Sequence, residues 1–484
     1  MDFLQAPGQT TTQQATTDAV DLSRKILTDL FGPPERRAFA VAFWDGTREA
    51  PGAHAPEFTL VLRRPDALRR MLVPPSELTL AEAYLRGDIE IEGDLGVASG
   101  VADDLGALLA APGRLARVLL RLQALPAADD TPVARTDGRF RRQGVRHSLE
   151  GDRAAVRHHY DLGNDFYALW LDRRMVYSCA YFPTGGETLD EAQEAKLELI
   201  CRKLRLRPGE RLLDIGCGWG GLICYAAERY GVEALGITLS QAQAQLARER
   251  IAAAGLSGRC RVEICDYRQL PPSEVFDKVV SVGMVEHVGR AQMRAYFEAA
   301  FRHTRPGGLF LNHGIVLVAP PSHGVLGRLG ARLWGQGAFI QSYIFPDGEV
   351  LPAGEMLGYA EACGFEPRDL ESLREHYALT LDHWRRRLEA RHTEAVALVG
   401  EQFYRAWRLY LAGAAWRFRV GQIGIVQMLL ARQTARGRVE LPLTRADLYR
   451  LPGAGVETPG SPPCNRCEAP APQHRSNARE AIST

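Results

Sequence analysis

The sequence lacks a long uncharged hydrophobic run, an excess of charge of either sign, and a cysteine spacing typical of disulfides. No apolar run reaches the roughly 18 residues of a membrane-spanning helix, so we expect any membrane contact to be peripheral. The net charge is +1, so no overall field favours nucleic acid as a partner. The nine cysteines form no disulfide framework and no charged-then-apolar leader opens the sequence, which favours a cytoplasmic location.

The composition is that of a folded protein with tails. Apolar residues make up 46% of the 484 residues and charged residues 24%, enough for a sizeable core in two or three domains. Residues 1–18 and 453–484 lack apolar periodicity and are predicted to be disordered tails. Cys464 and Cys467 in the second tail form a lone CxxC motif, which is weak evidence for a metal or redox site.

A glycine-rich turn follows a short apolar strand within residues 212–221, which read LLDIGCGWGG. Glycines allow positive φ and let a ligand approach the backbone closely. The turn fits NAD, FAD or S-adenosylmethionine, or merely a tight turn. The next strand ends at Thr238, where NAD enzymes place an acid for the ribose hydroxyls, so the nicotinamide interpretation is weakened.

Strands and helices alternate around this turn. The patterns predict strands at 211–215, 232–237, 260–265, 277–282 and 309–318, with helices at about 220–230, 240–254 and 290–303. This order predicts an α/β fold with a doubly wound, mostly parallel sheet, whose ligands bind at the carboxyl ends of the strands. Four polar residues fall at or just after such ends: Asp214, Thr238, Asp266 and Glu286.

The amino-terminal part is predicted to be a separate small α+β domain, residues 19–110, with strands at 38–44 and 57–62. A basic linker follows at 111–145, and the catalytic domain spans 146–435. In the linker, Arg114, Arg117 and Arg121 recur at helical spacing. Such a helix either lies on an anionic membrane surface or presents an ordinary solvated face.

Six segments, in this order, give the chain a family resemblance. It resembles the cyclopropane-fatty-acyl-phospholipid synthases and mycolic acid cyclopropane synthases, which are S-adenosylmethionine-dependent methyltransferases. The matching segments are HYDLGNDFY at 159–167, YSCAYF at 177–182, the loop 214–221, the stretch 236–243, SVGMVEHVG at 281–289 and YIFPDG at 343–348.

The resemblance implies a class I Rossmann-like methyltransferase that transfers a methylene from S-adenosylmethionine to the cis double bond of an unsaturated phospholipid acyl chain. It implies an amino-terminal domain that engages lipid, a cytoplasmic enzyme peripherally associated with the inner membrane, and a possible homodimer. An amino-terminal packing module without a ligand is the competing interpretation.

The resemblance also implies the site residues. The residues that it implies for cofactor binding are Tyr177, Ser178, Asp214, Gly216, Gly218, Gly220, Thr238, Gln243, Asp266 and Tyr267. It also implies a bound bicarbonate ion, which acts as the base that closes the ring. The residues implied to bind this ion are Cys179, Glu286, His313, Ile315 and Tyr343. Simpler roles are open to these residue types: a buried thiol, a helix-capping carboxylate or a core histidine. No metal site is expected, since His158 and His159 are sequence neighbours without a carboxylate pattern.

One position departs from the family. Ala414 stands where many relatives carry a cysteine. Either that thiol is dispensable, or the enzyme forms a methyl or methylidene branch and no ring. A small-molecule or headgroup methyltransferase and a non-catalytic lipid-binding protein also stay open as functions. The acyl chain is expected near residues 325–340 and the helices at 374–433.

Overall fold

The structure, a computed structural model, describes residues 7–52, 54–109, 112–126, 139–140, 146–160, 162–318, 334–335, 337–439 and 441–449. One compact unit covers Met1–Glu440 and a short unit covers Leu441–Thr484, whose described part contains a 3₁₀-helix, Ala446–Tyr449. The predicted tail at 453–484, with Cys464 and Cys467, lies outside the described residues.

The amino-terminal domain is a four-stranded mixed sheet with helices packed on it. Its sheet order is β2-β1-β3-β4. The strands are β1 (Ala40–Ala42), β2 (Arg48–Glu49), β3 (Phe58–Leu62) and β4 (Ile89–Gly93), and the helices are α1 (Pro7–Phe31), α2 (Ala67–Leu72), α3 (Glu77–Leu85) and α4 (Leu95–Leu109). The disordered tail predicted for residues 1–18 is wrong from Pro7 onward, because α1 begins there and its later turns bury Val20, Ile26 and Leu27.

The predicted basic helix in the linker is α5 (Pro112–Ala124). Its apolar side buries Val118 and Leu122. Arg121 contacts Asp29 of α1 at 2.6 Å, and Arg117 lies 3.7 Å from the same carboxylate. Part of the basic face is therefore used to hold α5 against α1.

The central sheet is doubly wound, as predicted. Its order is β11-β12-β9-β8-β5-β6-β7, with β10 beside β9. Strands β7, β6, β5, β8 and β9 are parallel, whereas β12 runs antiparallel to both β9 and β11. The strands are β5 (Arg211–Ile215), β6 (Glu233–Thr238), β7 (Cys260–Ile264), β8 (Phe276–Val282), β9 (Thr304–Leu317), β10 (Leu351–Pro352), β11 (Glu366–Ser372) and β12 (Ile423–Ala431).

Helices cover the sheet and begin at recognisable caps. Thr188 and Glu191 form a capping box at α8, and the Ser240 side chain accepts the backbone N–H of Gln243 at α10. The helices are α6 (Leu149–Tyr160), α7 (Asn164–Ala168), α8 (Leu189–Lys203), α9 (Gly221–Tyr230), α10 (Gln241–Ala253), α11 (Met293–His303), α12 (Ala353–Ala362), α13 (Arg374–Ala390), α14 (His392–Val399) and α15 (Glu401–Arg419).

The amino-terminal domain packs against the carboxy-terminal helices of the catalytic domain through small residues. A Cβ added at Gly100 of α4 would lie 2.5 Å from the Trp416 indole nitrogen of α15. This close approach lets the two domains share one hydrophobic core. No helix within the described ranges combines the length and apolarity needed to cross a bilayer.

Candidate active site

The turn after β5 is built from glycines with positive φ. Gly216, Gly218 and Gly220 have φ of 87°, 55° and 79°, conformations that residues with a Cβ adopt only at a cost. A Cβ at Gly218 would meet no atom within 4 Å, whereas one at Gly220 would lie 3.3 Å from Ala247 of α10. Gly218 therefore borders open space, and Gly220 permits helix packing.

A cavity of about 1160 Å³, including its open mouth, lies above this turn at the carboxyl ends of the parallel strands. Nine of the ten predicted cofactor residues line it: Tyr177, Ser178, Asp214, Gly216, Gly218, Thr238, Gln243, Asp266 and Tyr267. Gly220 does not line it. The structure thus brings the predicted cofactor set together, apart from one glycine that serves the turn.

Asp214 places a buried carboxylate in this cavity. It is 2% exposed, and its Oδ1 has no hydrogen-bond partner among the described residues. Burial raises the pKa of Asp214 to about 7, and the positive charge of Lys196 partly opposes that shift. The buried Oδ1 of Asp214, which has no partner among the described residues, is suited to accept a hydrogen bond from the ammonium group of a ligand.

Other polar groups of the cavity are already paired. The Thr238 hydroxyl donates to the Gln243 side-chain oxygen at 2.8 Å. The Asp266 carboxylate accepts three bonds from Arg268, one from its backbone N–H and two from its guanidinium. Asp266 therefore keeps little acceptor capacity for a cofactor's adenine amino group, and its clearest role is to fix Arg268 at the edge of the cavity.

A second cavity, larger and mostly apolar, adjoins the first. It encloses about 2080 Å³ up to its open mouth. Both domains contribute apolar side chains to its wall, among them Phe39, Phe58, Leu60, Ile89 and Leu95 from the amino-terminal domain and Ile315, Phe339, Ile340, Leu381 and Phe418 from the catalytic domain. Ala414 also lines it. Of the predicted acyl-chain residues, Leu326, Leu329 and Leu333 lie outside the described residues.

Four residues line both cavities: Tyr160, Tyr177, Gly283 and His287. The ring of Tyr177 stacks on His159 at 5.6 Å and meets Trp170 edge-on at 5.4 Å, and Tyr160 meets Trp219 edge-on at 5.9 Å. Burial lowers the pKa of His287 to about 4, so this histidine is neutral at neutral pH. The junction of the cavities is therefore an uncharged, mainly aromatic site.

Glu286 is the acid beside this junction. It lies in a 3₁₀-helix, Val285–His287, just after β8, and lines the apolar cavity. Its Oε1 accepts from the Ile315 backbone N–H at 2.7 Å, whereas its buried Oε2 has no partner among the described residues. Burial raises its pKa to about 7, although the bond from Ile315 acts in the opposite direction. Such a carboxyl is poised to exchange a proton near neutral pH.

His313 and Cys179 are fully buried, and neither is among the described residues that line either cavity. His313 lies on β9 two residues before Ile315 and therefore points to the same face of the sheet. Its Nδ1 lies 3.3 Å from the Gln427 amide nitrogen, and its buried Nε2 has no partner among the described residues. Burial lowers the pKa of His313 and raises that of Cys179, so both side chains are neutral. The Cys179 thiol donates to the Ala180 carbonyl at 3.2 Å.

Tyr343 does not join this group, so its predicted role does not fit the structure. It lies in a π-helical turn, Ile340–Ile344, and its hydroxyl donates to Glu82 of α3 at 2.9 Å. It is absent from the described residues that line either cavity. The physical reason is that this turn packs against α3 of the amino-terminal domain, where Glu82 accepts the Tyr343 hydroxyl.

Tyr377 of α13 is a site residue that the sequence pattern did not reveal. It is buried and lines the apolar cavity together with Glu286. Burial raises its pKa well above the usual value, and the proximity of Tyr410, Cys179, Glu286 and Tyr160 adds to that shift. Within its helix, Tyr377 follows the spacing of Leu381, Trp384 and Leu388, which is typical of an ordinary core face. Only the tertiary fold reveals its position.

Comparisons with known proteins agree with this arrangement. The mycolic acid cyclopropane synthetase family matches residues 147–428, and a domain of unknown function matches residues 26–98. The chain is 43% identical over 409 residues to a probable fatty acid methyltransferase of Pseudomonas putida, covering 84% of this chain and 95% of that protein. It is 38% identical over 279 residues to the cyclopropane-fatty-acyl-phospholipid synthase of Escherichia coli K12, covering 58% and 68%.

Solved structures give the same result. A cyclopropane synthase from Mycobacterium tuberculosis matches with a TM-score of 0.54 and 36% identity, over 58% of this chain and 98% of that one. A mycolic acid cyclopropane synthase complexed with SAH and CTAB matches with a TM-score of 0.54 and 37% identity, over the same shares of the two chains. These matches confirm the predicted fold class and family resemblance.

Proposed function

The chain belongs to the mycolic acid cyclopropane synthetase family and is an S-adenosylmethionine-dependent C-methyltransferase, and we propose that it converts the cis double bond of an unsaturated phospholipid acyl chain into a cyclopropane ring. The observation that carries this proposal is the meeting of two cavities at an aromatic junction beside Glu286. One cavity is lined by glycines and polar groups, the other is larger and mostly apolar, and the buried Oε2 of Glu286 has no partner among the described residues.

The residues of the polar cavity fit the cofactor. Asp214 offers a carboxylate oxygen without a partner among the described residues, and the open space at Gly218 lets a ligand pass close to the backbone. Tyr177, Ser178 and Tyr267 also line this cavity, and Tyr177 lies at its junction with the apolar cavity. When bound there, S-adenosylmethionine supplies an electrophilic methyl group.

The junction residues would orient the alkene and stabilise its charge. An isolated double bond is a poor nucleophile, so alignment within the apolar cavity must supply much of the rate. As its π electrons form the new carbon–carbon bond and the S–CH₃ bond breaks, positive charge develops on the acyl chain. The electron-rich rings of Tyr160 and Tyr177 at the junction would stabilise this cation, and the surrounding apolar wall would exclude water that traps it.

Ring closure requires loss of one proton from the transferred carbon. Glu286 Oε2 has no partner among the described residues, and Tyr377 brings a hydroxyl to the same cavity wall. His313 Nε2, outside that wall, is a further buried atom without a partner among the described residues. This donor and acceptor set fits a small oxyanion, and bound bicarbonate would act as the base. The Ile315 N–H is already bonded to Glu286, so in this proposal it orients that carboxylate.

The apolar cavity supports a lipid substrate that both domains hold. The amino-terminal domain contributes its own core side chains to the wall, including Phe39 and Ile91. If an acyl chain lies in this apolar cavity, the polar headgroup of the same lipid would remain at the protein surface. We therefore propose a phospholipid substrate taken from a membrane that the enzyme contacts peripherally.

A second product is favoured by one specific observation. Ala414 lines the apolar cavity, and a relative that the chain matches over 95% of its length is named a probable fatty acid methyltransferase. In that case a hydride would shift from the methyl-bearing carbon to the adjacent cationic carbon, and loss of a proton from the methyl group would then leave a methylidene branch. A methyl branch would need a separate hydride donor, such as a reduced nicotinamide cofactor, to reduce that double bond.

The experiment is a comparison of host phospholipids with and without the protein by mass spectrometry. Cyclopropane formation adds the mass of one CH₂ group to unsaturated acyl chains and makes them resistant to mild hydrogenation. A methylidene branch gives the same mass gain but takes up hydrogen. Unchanged acyl chains contradict the proposal.

A further inference from the structure

Lys196 is a buried lysine in the wall of the cofactor cavity. It lies in the middle of α8 and is 1% exposed. Its ammonium donates to the Ser178 hydroxyl at 2.7 Å, and no ion pair joins it to a carboxylate of the described residues. A buried ammonium without a counter-ion carries a large desolvation cost. Such a charge is retained most readily where a bound anion offsets that cost.

The wall of the same cavity carries the complementary charge. Asp214 is buried, its Oδ1 has no partner among the described residues, and it is near enough to Lys196 for each charge to influence the other. The two groups nevertheless form no direct ion pair. The wall therefore offers one cation and one anion held apart, which is the arrangement that a zwitterion between them would match.

The remaining charges near Lys196 are engaged elsewhere. Asp172 accepts the backbone N–H groups of Arg174 and Val176, each at 2.8 Å. Arg268, the other basic side chain that lines the cavity, is bonded to Asp266 and Asp152. Among the described lining residues, Lys196 is thus the cation whose charge is not already balanced by an ion pair.

We propose that Lys196 is a cofactor-binding residue that holds the α-carboxylate of S-adenosylmethionine, opposite Asp214, which holds the α-ammonium. The proposal rests on cofactor use as described above. The carboxylate is the only anionic group of that cofactor, and the ammonium of Lys196, fixed by Ser178, presents donors to it. Together the two residues would fix the amino-acid end and so aim the sulfonium at the junction of the cavities.

The competing role is purely structural. Gln193, one turn earlier on α8, donates to the carbonyls of Val176 at 3.2 Å and Ser178 at 2.8 Å. In this role, the bond from Lys196 to Ser178 would be a third hydrogen bond that holds the segment 176–178 against α8. A structural tie would affect all ligands of the cavity alike, whereas a carboxylate contact would affect only ligands that carry the carboxylate.

Calorimetry with two ligands separates these roles. S-adenosylhomocysteine has both the carboxylate and the ammonium, and its decarboxylated analogue keeps the adenosine, sulfur and amine. We expect the wild type to prefer S-adenosylhomocysteine by about tenfold or more, as a charge-assisted hydrogen bond would give. Lys196→Met should reduce that preference to about twofold or less, and Lys196→Arg should keep part of it.

Lys203 provides the matched control on the same helix. It is equally buried, but it pairs with Glu371 at 2.5 Å and Asp369 at 3.6 Å, away from the cavity. Lys203→Met should therefore preserve the ligand preference. Equal binding of both ligands by the wild type overturns the proposal whether or not any variant folds, and so does an unchanged preference in Lys196→Met. Binding of neither ligand by the wild type would instead contradict cofactor use itself.

Discussion

At the scale of single residues, the account depends on buried polar atoms that the protein leaves without partners. Asp214 Oδ1, Glu286 Oε2 and His313 Nε2 are all of this kind among the described residues. Native proteins rarely leave such atoms unpaired, because each costs about 1–3 kcal/mol. Asp214 and Glu286 also line the two adjoining cavities, so for these two carboxylates we expect a bound ligand to be the missing partner.

Gly218→Val tests the cofactor cavity. The new side chain would point into open space that a bound cofactor needs, at a backbone φ of 55°. We expect the affinity for S-adenosylhomocysteine, measured by calorimetry, to fall at least about tenfold. Gly255→Val is the matched control, because Gly255 has φ of 69° and equally open space but lies outside the cavity. Equal affinities in the two variants would contradict the cofactor assignment.

Tyr377→Phe and Tyr343→Phe separate the tyrosine that the structure places beside Glu286 from the one that the sequence suggested. The first change should lower turnover on a lipid substrate at least about tenfold, because a hydroxyl donor in the buried wall is lost. Affinity for S-adenosylhomocysteine should stay unchanged. Tyr343→Phe removes the bond to Glu82, outside both cavities, and should leave turnover within about threefold. The reverse order would restore Tyr343 as the ligand.

Glu286→Gln should change stability in a pH-dependent manner. The pKa of Glu286 is about 7 in the folded protein against 4.5 ordinarily, so the folded state favours the protonated form. Its contribution is therefore full below pH 4.5 and is lost as the pH rises through about 7, a difference of up to about 3 kcal/mol. Relative to wild type, the neutral Gln variant should gain unfolding free energy at pH 8 compared with pH 5.

Urea unfolding at both pH values checks this expectation. Asp214 carries a raised pKa of its own in both proteins, so only the difference between variant and wild type reports on Glu286. A difference that is the same at pH 5 and pH 8 would show that Glu286 does not titrate in this range.

At the scale of elements, the close packing of α4 on α15 forms the wall of the apolar cavity. Gly100→Ala would place a methyl group 2.5 Å from the Trp416 ring nitrogen and push the helices apart. We expect a loss of about 1–3 kcal/mol in stability and a clear loss of lipid turnover. Affinity for S-adenosylhomocysteine should change less than about twofold, because α4 does not line the cofactor cavity.

Gly113→Ala is the control for this prediction. A Cβ there meets no atom within 4 Å, and Gly113 lies on α5, away from α15. If Gly100→Ala kept full lipid turnover, the cavity wall formed by the amino-terminal domain would not hold the substrate.

The parts of the site that could be predicted from sequence are those marked by short, contiguous sequence patterns. The strand and glycine turn at 211–221 and the polar residues at strand ends are local patterns, so they predicted the sheet and the edge where ligands bind. The nine lining residues were predicted through short motifs that carry the family resemblance. Tyr377 and Lys196 lie on helices, where a tyrosine is typical of a core face and a lysine of a solvated face. Their proximity to Glu286 and Asp214 arises only when separate elements pack together.

The amino-terminal helix illustrates the opposite error. The polar composition of residues 1–18 predicted disorder, but α1 continues from a later apolar stretch that buries Ile26 and Leu27. Helix formation extends cooperatively from such a packed segment into polar residues before it. Tertiary packing therefore sets where α1 begins, and composition alone does not predict that position.

At the scale of the whole molecule, the two domains together line the adjoining cavities that the proposed reaction would use. The Rossmann-like sheet positions the cofactor cavity, and the amino-terminal domain completes an apolar cavity that meets it at Tyr160 and Tyr177. Each alternative function accounts for one of the two cavities but not for both. A headgroup or small-molecule methyltransferase would not need so long an apolar wall, and a lipid-binding protein would not need the glycine turn.

The most direct test incubates the purified protein with S-adenosylmethionine and vesicles of a cis-monounsaturated phospholipid, followed by mass spectrometry of the released acyl chains. The account predicts acyl chains heavier by one CH₂ group that do not take up hydrogen under mild hydrogenation. Ala414→Cys should change the rate little and leave the product the same. Acyl chains that stay unmodified while methyl groups appear on the headgroup, or no transfer at all, would contradict the account.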